Sequence, residues 1–158
     1  MYNNKYIFID VGVSASKIKN ELGNIDRNSQ VILFVTHEHT DHISGLKSMV
    51  KNFSPTIFTS EKTADILVNK GADIDKLYVL DADYEYDMDD FSVTPYNLMH
   101  DAVEPFGYKF NFGDNIISFA TDLGIISDYI AKSIEGSDTI ILESNYECLK
   151  SVVEDKRN

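Results

Sequence analysis

Short apolar runs separated by turn residues form the main pattern along this chain of 158 residues. The clearest run, Val-Ile-Leu-Phe-Val at 31–35, is continuously apolar, which is typical of a strand buried on both faces. Other runs are rich in β-branched and aromatic residues and end near Gly, Asn, Asp or Pro. The pattern predicts strands at residues 6–11, 31–35, 56–58, 77–80, 91–98, 106–112, 116–120 and 139–142.

Helical spacing marks several of the segments between these strands. Apolar residues recur every three or four positions from Ile43 to Val50, which predicts a helix directly after the second strand. Ser14 is a suitable N-cap for a helix through Leu22. Further helices are predicted at 61–69, at 126–134 and in the C-terminal tail. This succession predicts sheets covered by helices, an α/β or α+β layered fold forming one domain over residues 1–158.

Composition narrows the class of protein. With 43% hydrophobic and 25% charged residues, the chain is typical of globular proteins, and its apolar runs are far shorter than a membrane span. The first five residues lead directly into a strand and do not resemble a signal peptide. Cys148 is the only cysteine, so no internal disulfide can form. These features favour the cytoplasm, of a cell or of a host cell.

The net charge of −12 argues against broad electrostatic binding to nucleic acid. It does not exclude a nuclease, because bound divalent metals supply positive charge at a scissile phosphate. Much of the acid lies in residues 81–90. We interpret that stretch as a solvated connection rather than a calcium site, since it lacks a glycine-containing loop of the calcium-binding type.

Candidate chemistry is concentrated just after the strand at 31–35. His37, His39, Asp41 and His42 follow it in H-x-H-x-D-H order. Imidazole is the commonest protein ligand for borderline metals, and residues two apart in extended chain project to the same side. Glu38 alternates with the histidines and should point away, so its loss should be mild. The alternative is a histidine-rich polar turn, but the spacing favours a metal site and suits two adjacent ions better than one.

Two more candidate residues follow predicted strands. His100 comes after the strand at 91–98, and Asp122 after the strand at 116–120. Loops at strand ends commonly carry functional groups on a rigid scaffold. Either residue alone would usually be structural or solvated. Beside the histidine motif, they supply the third imidazole and the bridging carboxylate that a two-metal site requires.

The chain resembles the metallo-β-lactamase-fold hydrolases, and within them the YycJ-like (WalJ/VicX) branch, whose members resemble DNA exonucleases and ribonuclease Z. The H-x-H-x-D-H motif carries the resemblance. The segments Ile-Asp-Val-Gly-Val-Ser at 9–14, His-Asp-Ala-Val-Glu-Pro at 100–105, Ala-Thr-Asp-Leu-Gly at 120–124 and Leu-Glu-Ser-Asn at 142–145 extend it in the same order. The resemblance implies a four-layer αββα sandwich, here truncated.

The same resemblance implies a role for each candidate residue. It assigns His37, His39 and His100 to a first metal and Asp41 with His42 to a second. Asp122 would bridge the two ions and position a metal-bound hydroxide, so Asp122 and Asp41 are the implied catalytic residues. Asp10 would orient ligands from behind the site. The implied cofactor is Zn²⁺, as one or two ions, with Mn²⁺ or Fe as alternatives.

The chain also departs from the family pattern. It has no histidine after His100, whereas the family usually supplies another metal ligand from a C-terminal segment, and Tyr146 stands where the branch tends to have histidine. The N-terminal strand pair is missing too. We therefore expect a shortened relative, a fragment, or one half of a two-chain site. The last strand, 139–142, should then leave apolar surface or an unpaired edge for a second copy or a partner chain.

Three functions remain open at this stage. The resemblance favours a metal-dependent phosphodiesterase or exonuclease-like enzyme acting on nucleic acid. The same kind of metal centre also supports hydrolysis of a small ester, thioester or lactone, which the acidic charge mildly favours. The third possibility is a catalytically weak metal-binding remnant that acts as a partner subunit, which the missing histidine favours.

Overall fold

A computed structural model describes residues 2–22, 25 and 29–143. The predicted tail helix, Tyr146 and Cys148 lie outside these residues. In chain order, the described elements are β1 (Lys5–Ile9), α1 (Ala15–Leu22), β2 (Gln30–Phe34), α2 (Thr40–Ile43), α3 (Leu46–Phe53), β3 (Thr56–Thr59), α4 (Glu61–Asn69), a 3-10 turn (Ile74–Lys76), β4 (Leu77–Val79), β5 (Tyr86–Asp87), β6 (Ser92–Asn97), β7 (Phe106–Asn111), β8 (Ile116–Ala120), α5 (Asp128–Ile134) and β9 (Thr139–Leu142).

The strands form two sheets of different character. The first has the order β1-β2-β3-β4, and its neighbouring strands are all parallel. The second has the order β5-β6-β7-β8-β9, with antiparallel neighbours except for the parallel pair β8 and β9. Parallel neighbours need a crossover, and α1, α3, α4 and α5 lie in those connections.

Alternation along β2 explains why the sheets stack as layers. Val31 and Leu33 pack with residues of α1, α3 and α4 on one face. Ile32 and Phe34 point to the other face, into a core shared with the second sheet. The ring of Phe34 lies 5.0 Å from that of Phe110 on β7, measured between centroids. On the far side of the second sheet, Ile130 of α5 packs on another cluster. The order is therefore helix, sheet, sheet, helix, as predicted.

Two predicted boundaries differ from the structure because of contacts between the loop after β1 and the motif helices. β1 ends at Ile9 rather than at residue 11, since Asp10 has a left-handed backbone with φ of 59°. The predicted helix after the motif is broken into α2 and α3 near Gly45. The N–H of Gly45 donates to the carbonyl of Val11 at 2.8 Å, and a Cβ at Gly45 would lie 2.0 Å from the Val13 oxygen.

The acidic stretch at 81–90 is only partly the solvated connection that the sequence predicts. Most of its carboxylates are exposed, but Tyr86 and Asp87 form β5, which pairs with β6. Tyr86 and Met88 pack against the core between the sheets. This apolar contact explains why a short strand forms within a charged segment.

The last described strand contrasts with the rest of the second sheet. All four residues of β9 are exposed, including Ile140, Ile141 and Leu142, as the sequence predicts for this strand. Elsewhere, none of the helices in the described part of the chain combines the length and apolar character needed to cross a membrane.

Candidate metal centre

The candidate residues meet where strands of both sheets end. Asp10 follows β1, and the H-x-H-x-D-H motif follows β2, which is parallel to β1. β6 and β8 both run antiparallel to β7, so they end at the same edge of their sheet. His100 and Asp122 lie in the loops after these two strands. The fold therefore brings together four loops that are up to 112 residues apart in sequence, from Asp10 to Asp122.

His37, His39 and His100 form the first group, called here the first triad. One ligand atom from each lies within 4.8 Å of the others. His100 Nε2 is 3.2 Å from His39 Nδ1, and the ring of His37 is 4.9 Å from that of His100. These are the three residues expected to share an ion.

His37, His42 and Asp122 form a second triad, again with ligand atoms within 4.8 Å of one another. Asp122 Oδ2 lies 2.7 Å from His42 Nε2 and 3.7 Å from His37 Nε2. His37 is thus the member common to both triads. The bridging role of Asp122 stays a prediction.

Asp41 occupies a different place from the other candidates. Its side chain is 82% exposed, and its carboxylate oxygen lies 3.8 Å from His42 Nε2. It stands beside the second triad on the solvent side but is not part of the compact group. Its role as a ligand or catalytic residue stays a prediction.

Asp10 orders the imidazoles from behind. One carboxylate oxygen accepts hydrogen bonds from the Thr36 hydroxyl and from His42 Nδ1, both at 2.7 Å, and the other accepts the Thr36 N–H at 2.7 Å. The Thr36 hydroxyl oxygen lies 2.9 Å from His37 Nδ1. With Nδ1 of both rings donating into this network, each Nε2 keeps a lone pair for the site.

Orphaned polar atoms support the fit to a metal. His37 Nε2 and Asp122 Oδ2 are buried, and neither has a hydrogen-bond partner among the described residues. Asp122 Oδ2 is close to His42 Nε2, yet the pair lacks hydrogen-bond geometry. Buried polar atoms are rarely left unpaired. Nitrogen and carboxylate oxygen atoms directed at common points are the donor set that borderline divalent metals require.

The imidazoles of His37 and His42 have pKa values that are shifted in opposite directions. Burial, followed by repulsion from the neighbouring His42, lowers the pKa of His37 to about 4. Its ring is therefore neutral at neutral pH and its lone pair is available. The hydrogen bond to Asp10 raises the pKa of His42, so in this site a proton competes with an ion.

Three supporting residues lie outside the set of candidates proposed from sequence. Thr36 links Asp10 to His37, as described above. Glu143 Oε2 accepts the N–H of Asp122 at 2.7 Å, where Asp122 has a left-handed backbone with φ of 56°. Glu38 belongs to neither triad, and its carboxylate accepts the N–H of Val103 at 3.0 Å. Sequence position could have pointed to them. Thr36 and Glu38 adjoin the candidate ligand His37, and Glu143 lies in the family-like segment 142–145.

Comparison with known proteins agrees with this geometry. A family model described as a beta-lactamase superfamily domain matches residues 7–152. The chain is 28% identical over 149 residues to the exodeoxyribonuclease WalJ of Streptococcus pneumoniae serotype 2, covering 90% of this chain and 55% of the relative. It is 27% identical over 147 residues to the exodeoxyribonuclease YycJ of Bacillus anthracis, covering 90% and 56%. The chain thus spans about half the length of these curated relatives.

Solved structures show the same fold at low sequence identity. Zn²⁺-bound PqqB from Methylobacterium extorquens superposes with a TM-score of 0.72 at 12% identity, covering 89% of this chain and 56% of PqqB. The metallo-β-lactamase fold protein YhfI from Bacillus subtilis gives 0.69 at 14% identity, covering 92% and 62%. The fold implies a divalent metal, and the two triads are where this chain offers ligands for it.

Proposed function

The chain belongs to the β-lactamase superfamily, and from this membership we propose that it is a metal-dependent hydrolase that cleaves phosphodiester bonds in nucleic acid. The observation that carries the proposal is the pair of triads that share His37, with their orphaned nitrogen and oxygen atoms. A two-metal centre supplies Lewis acidity and an activated water near neutral pH. No serine or cysteine nucleophile is required for such a reaction.

Each side chain has a defined part in this proposal. His37, His39 and His100 would hold one ion. His42 and Asp122 hold the second, with Asp41 completing that position from the solvent side. Asp122 would also orient the attacking water, because its Oδ2 lies 2.7 Å from His42 Nε2 and 3.7 Å from Nε2 of the shared His37. Asp10 keeps the His42 lone pair directed at the site.

Zn²⁺ is the metal that we propose, as one or two ions. The donor set is rich in imidazole nitrogen with added carboxylate oxygen, which suits Zn²⁺. Mn²⁺ and iron accept the same ligands and remain alternatives to be compared directly.

Nucleic acid as the substrate is supported by the relatives called exodeoxyribonucleases, which share 27–28% identity with this chain over 90% of its length. The net charge of −12 is compatible with that substrate only if the metals provide the positive charge at the cleaved phosphate. We also propose a cytoplasmic location, which the single cysteine in the sequence supports.

The test compares bond types on protein of known metal content. Purified protein loaded with Zn²⁺ or Mn²⁺ is assayed on DNA oligonucleotides labelled at the 5′ or the 3′ end, single-stranded and duplex, and on a thioester. Asp122→Asn serves as the control because it keeps the size of the side chain. We expect shortened DNA products with wild type and none with the variant. Metal-loaded protein that leaves every oligonucleotide intact would refute the proposal.

A second candidate is hydrolysis of a small ester, thioester or lactone. The acidic charge favours it, and so do exposed apolar residues in loops that carry candidate ligands: Met99 is 56% exposed and Val103 is 44% exposed. Faster turnover of the thioester than of DNA would select this alternative. Metal binding without turnover of either substrate would instead select the remnant that acts as a partner subunit.

A further inference from the structure

Glu38 connects two parts of the site that are far apart in sequence. It stands in sequence between the candidate ligands His37 and His39 and belongs to neither triad. Its Oε1 accepts a hydrogen bond from the N–H of Val103, 65 residues later in the chain, at 3.0 Å. Val103 belongs to the loop of residues 98–105, which carries His100. One side chain of the motif thus holds the loop that delivers the third histidine.

The base of the 98–105 loop is fixed by other contacts. The N–H of Leu98 donates to the carbonyl of Pro105 at 2.9 Å, and the N–H of Phe106 donates to that of Thr36 at 2.9 Å. Glu104 is tied to the start of α4, where its Oε2 accepts the N–H of Lys62 at 3.0 Å. These bonds fix where the loop leaves and rejoins the sheet, but they do not reach residues 100–103.

The distal part of the loop meets the motif through His100 and Val103. His100 Nε2 faces His39 Nδ1 at 3.2 Å, an approach between two ring nitrogens that both serve as ligands when an ion is bound. On its other side, His100 Nδ1 contacts Asp101, whose side chain is 87% exposed and so offers a weak anchor. The bond from Val103 to Glu38 is the contact that ties this part of the loop to the motif without using a ligand.

We infer that Glu38 is a positioning residue for the first triad, because its carboxylate fixes the 98–105 loop so that His100 meets His37 and His39. The inference rests on the proposed metal-dependent function and adds a residue to it. It replaces the mild effect of losing Glu38 that alternation alone predicts, because alternation does not reveal the bond from Val103. The same arrangement recurs at other ligand-bearing segments, since Asp10 accepts the N–H of Thr36 and Glu143 accepts that of Asp122. Partners that orient metal ligands typically change metal affinity by about 10–100-fold when removed.

In this inference the hydrogen bond of Glu38, and not its charge, positions the 98–105 loop. Oε1 is the accepting atom, and Oε2 is buried without a hydrogen-bond partner among the described residues. Glu38→Gln keeps both the reach and an accepting oxygen but removes the charge. Glu38→Asp keeps the charge but is one methylene shorter. Glu61→Ala, which removes an exposed glutamate at the start of α4, is the matched control.

The experiment measures zinc binding by the full chain. Zn²⁺ is titrated in competition with a chromophoric chelator, and the His39→Ala variant identifies which binding constant belongs to the first triad. We expect Glu38→Ala and Glu38→Asp to weaken that constant by about 10–100-fold. In Glu38→Gln and Glu61→Ala the first-triad constant should stay close to the wild-type value. In all of these variants the second-triad constant should also stay close to the wild-type value. In the metal-free protein, the Val103 amide should exchange with solvent faster in Glu38→Ala than in wild type, because its hydrogen bond to Glu38 is lost.

Several outcomes would overturn the inference. One is a first-triad constant in Glu38→Ala that stays within about twofold of wild type, well short of the expected change. Another is retention by Glu38→Asp with loss in Glu38→Gln, which would mean that the charge acts instead. Equal weakening of both constants would show a general structural defect. Wild-type protein that binds zinc but hydrolyses nothing would refute the proposed function while leaving this measurement valid.

Discussion

The two triads share His37 but are supported in different ways. In the second, His42 is held by Asp10 at 2.7 Å, and the backbone of Asp122 is held by Glu143. In the first, the His100 side chain is 20% exposed, and the outer contact of its ring is to the exposed Asp101. The second triad is therefore held by two partly buried carboxylates, whereas the His100 position of the first depends on the 98–105 loop.

Stronger support does not mean tighter metal binding. The Asp10 carboxylate that orients His42 also raises its pKa, so a proton competes with the ion there. Asp41, the remaining nearby ligand, is largely exposed. The first triad offers three imidazoles and does not include His42, so the proton held next to Asp10 does not compete there. How well a triad is ordered and how strongly it binds a metal ion are therefore separate properties.

The largest expected effect comes from the residue that the triads share. His37→Ala should remove a ligand from both positions, so zinc content should fall to near zero and hydrolysis to the background of metal-free protein. Elemental analysis of the purified variant measures the first, and the DNA assay measures the second. Full retention of one ion would show that His37 belongs to only one position.

Asp122→Ala should affect the second triad and leave the first triad intact. We expect hydrolysis to fall by more than about 100-fold, beyond the usual cost of losing an orienting partner, because this change removes a ligand and the group that orients the water. The first ion should remain, and the circular dichroism spectrum should match wild type. Activity within tenfold of wild type would contradict the division of roles between the two triads.

Mild dialysis should rank the two positions. Because the second triad has a competing proton and an exposed fourth candidate ligand, it should lose its ion first, leaving close to one zinc per chain. Inductively coupled plasma analysis before and after dialysis provides the count. If a monomer keeps two ions through dialysis, the predicted difference in affinity between the two positions is wrong.

Acidity should act on the second position through His42. As pH falls through the raised pKa of His42, its ring becomes protonated and the second ion should be released, whereas above that pKa the neutral ring binds it. Asp10→Asn removes the cause of the shift, so it should move this release to lower pH while weakening the second ion by about 10–100-fold through lost orientation. Zinc titrations at several pH values test both. An unchanged midpoint in Asp10→Asn would contradict the link.

The smallest expected effect concerns association. β9 is exposed on both faces, and another chain commonly covers such strands. We expect a dimer by light scattering, with the second ion binding slightly tighter in the dimer if the neighbouring chain supplies a ligand. A monomer that is fully active at high concentration would show that neither triad needs a second chain.

Much of the site could be predicted because its ligands are concentrated in a short motif. The order of His37, His39 and His42 after an apolar strand carries most of the information, and His100 and Asp122 follow strands in the same way. Strand positions were also predictable, because all but one residue of each of β2, β8 and β9 is apolar. The bounds of the predicted strands differ from the observed ones by up to two residues, and β5 was not predicted.

The remaining features depend on contacts that a linear pattern does not contain. The apolar runs at 31–35 and 139–142 look alike in sequence, yet β2 is almost fully buried and β9 is exposed. The exposure of β9 was predicted from the family resemblance and not from the run itself, because burial depends on which layers cover a strand. The bond from Val103 to Glu38 likewise joins residues 65 apart, so alternation could show only that Glu38 turns away from the ligands.

The close contact between the loop after β1 and the motif helices has a consequence at the level of the gene. A Cβ at Gly12 would lie 1.7 Å from the Asp41 carbonyl oxygen, and one at Gly45 would lie 2.0 Å from that of Val13. Every base change at a glycine codon that replaces the amino acid without creating a stop adds a side chain. At these two codons, all such missense changes push apart the segments that carry Asp10 and His42. Point mutation can therefore damage the metal centre at codons that encode none of its ligands.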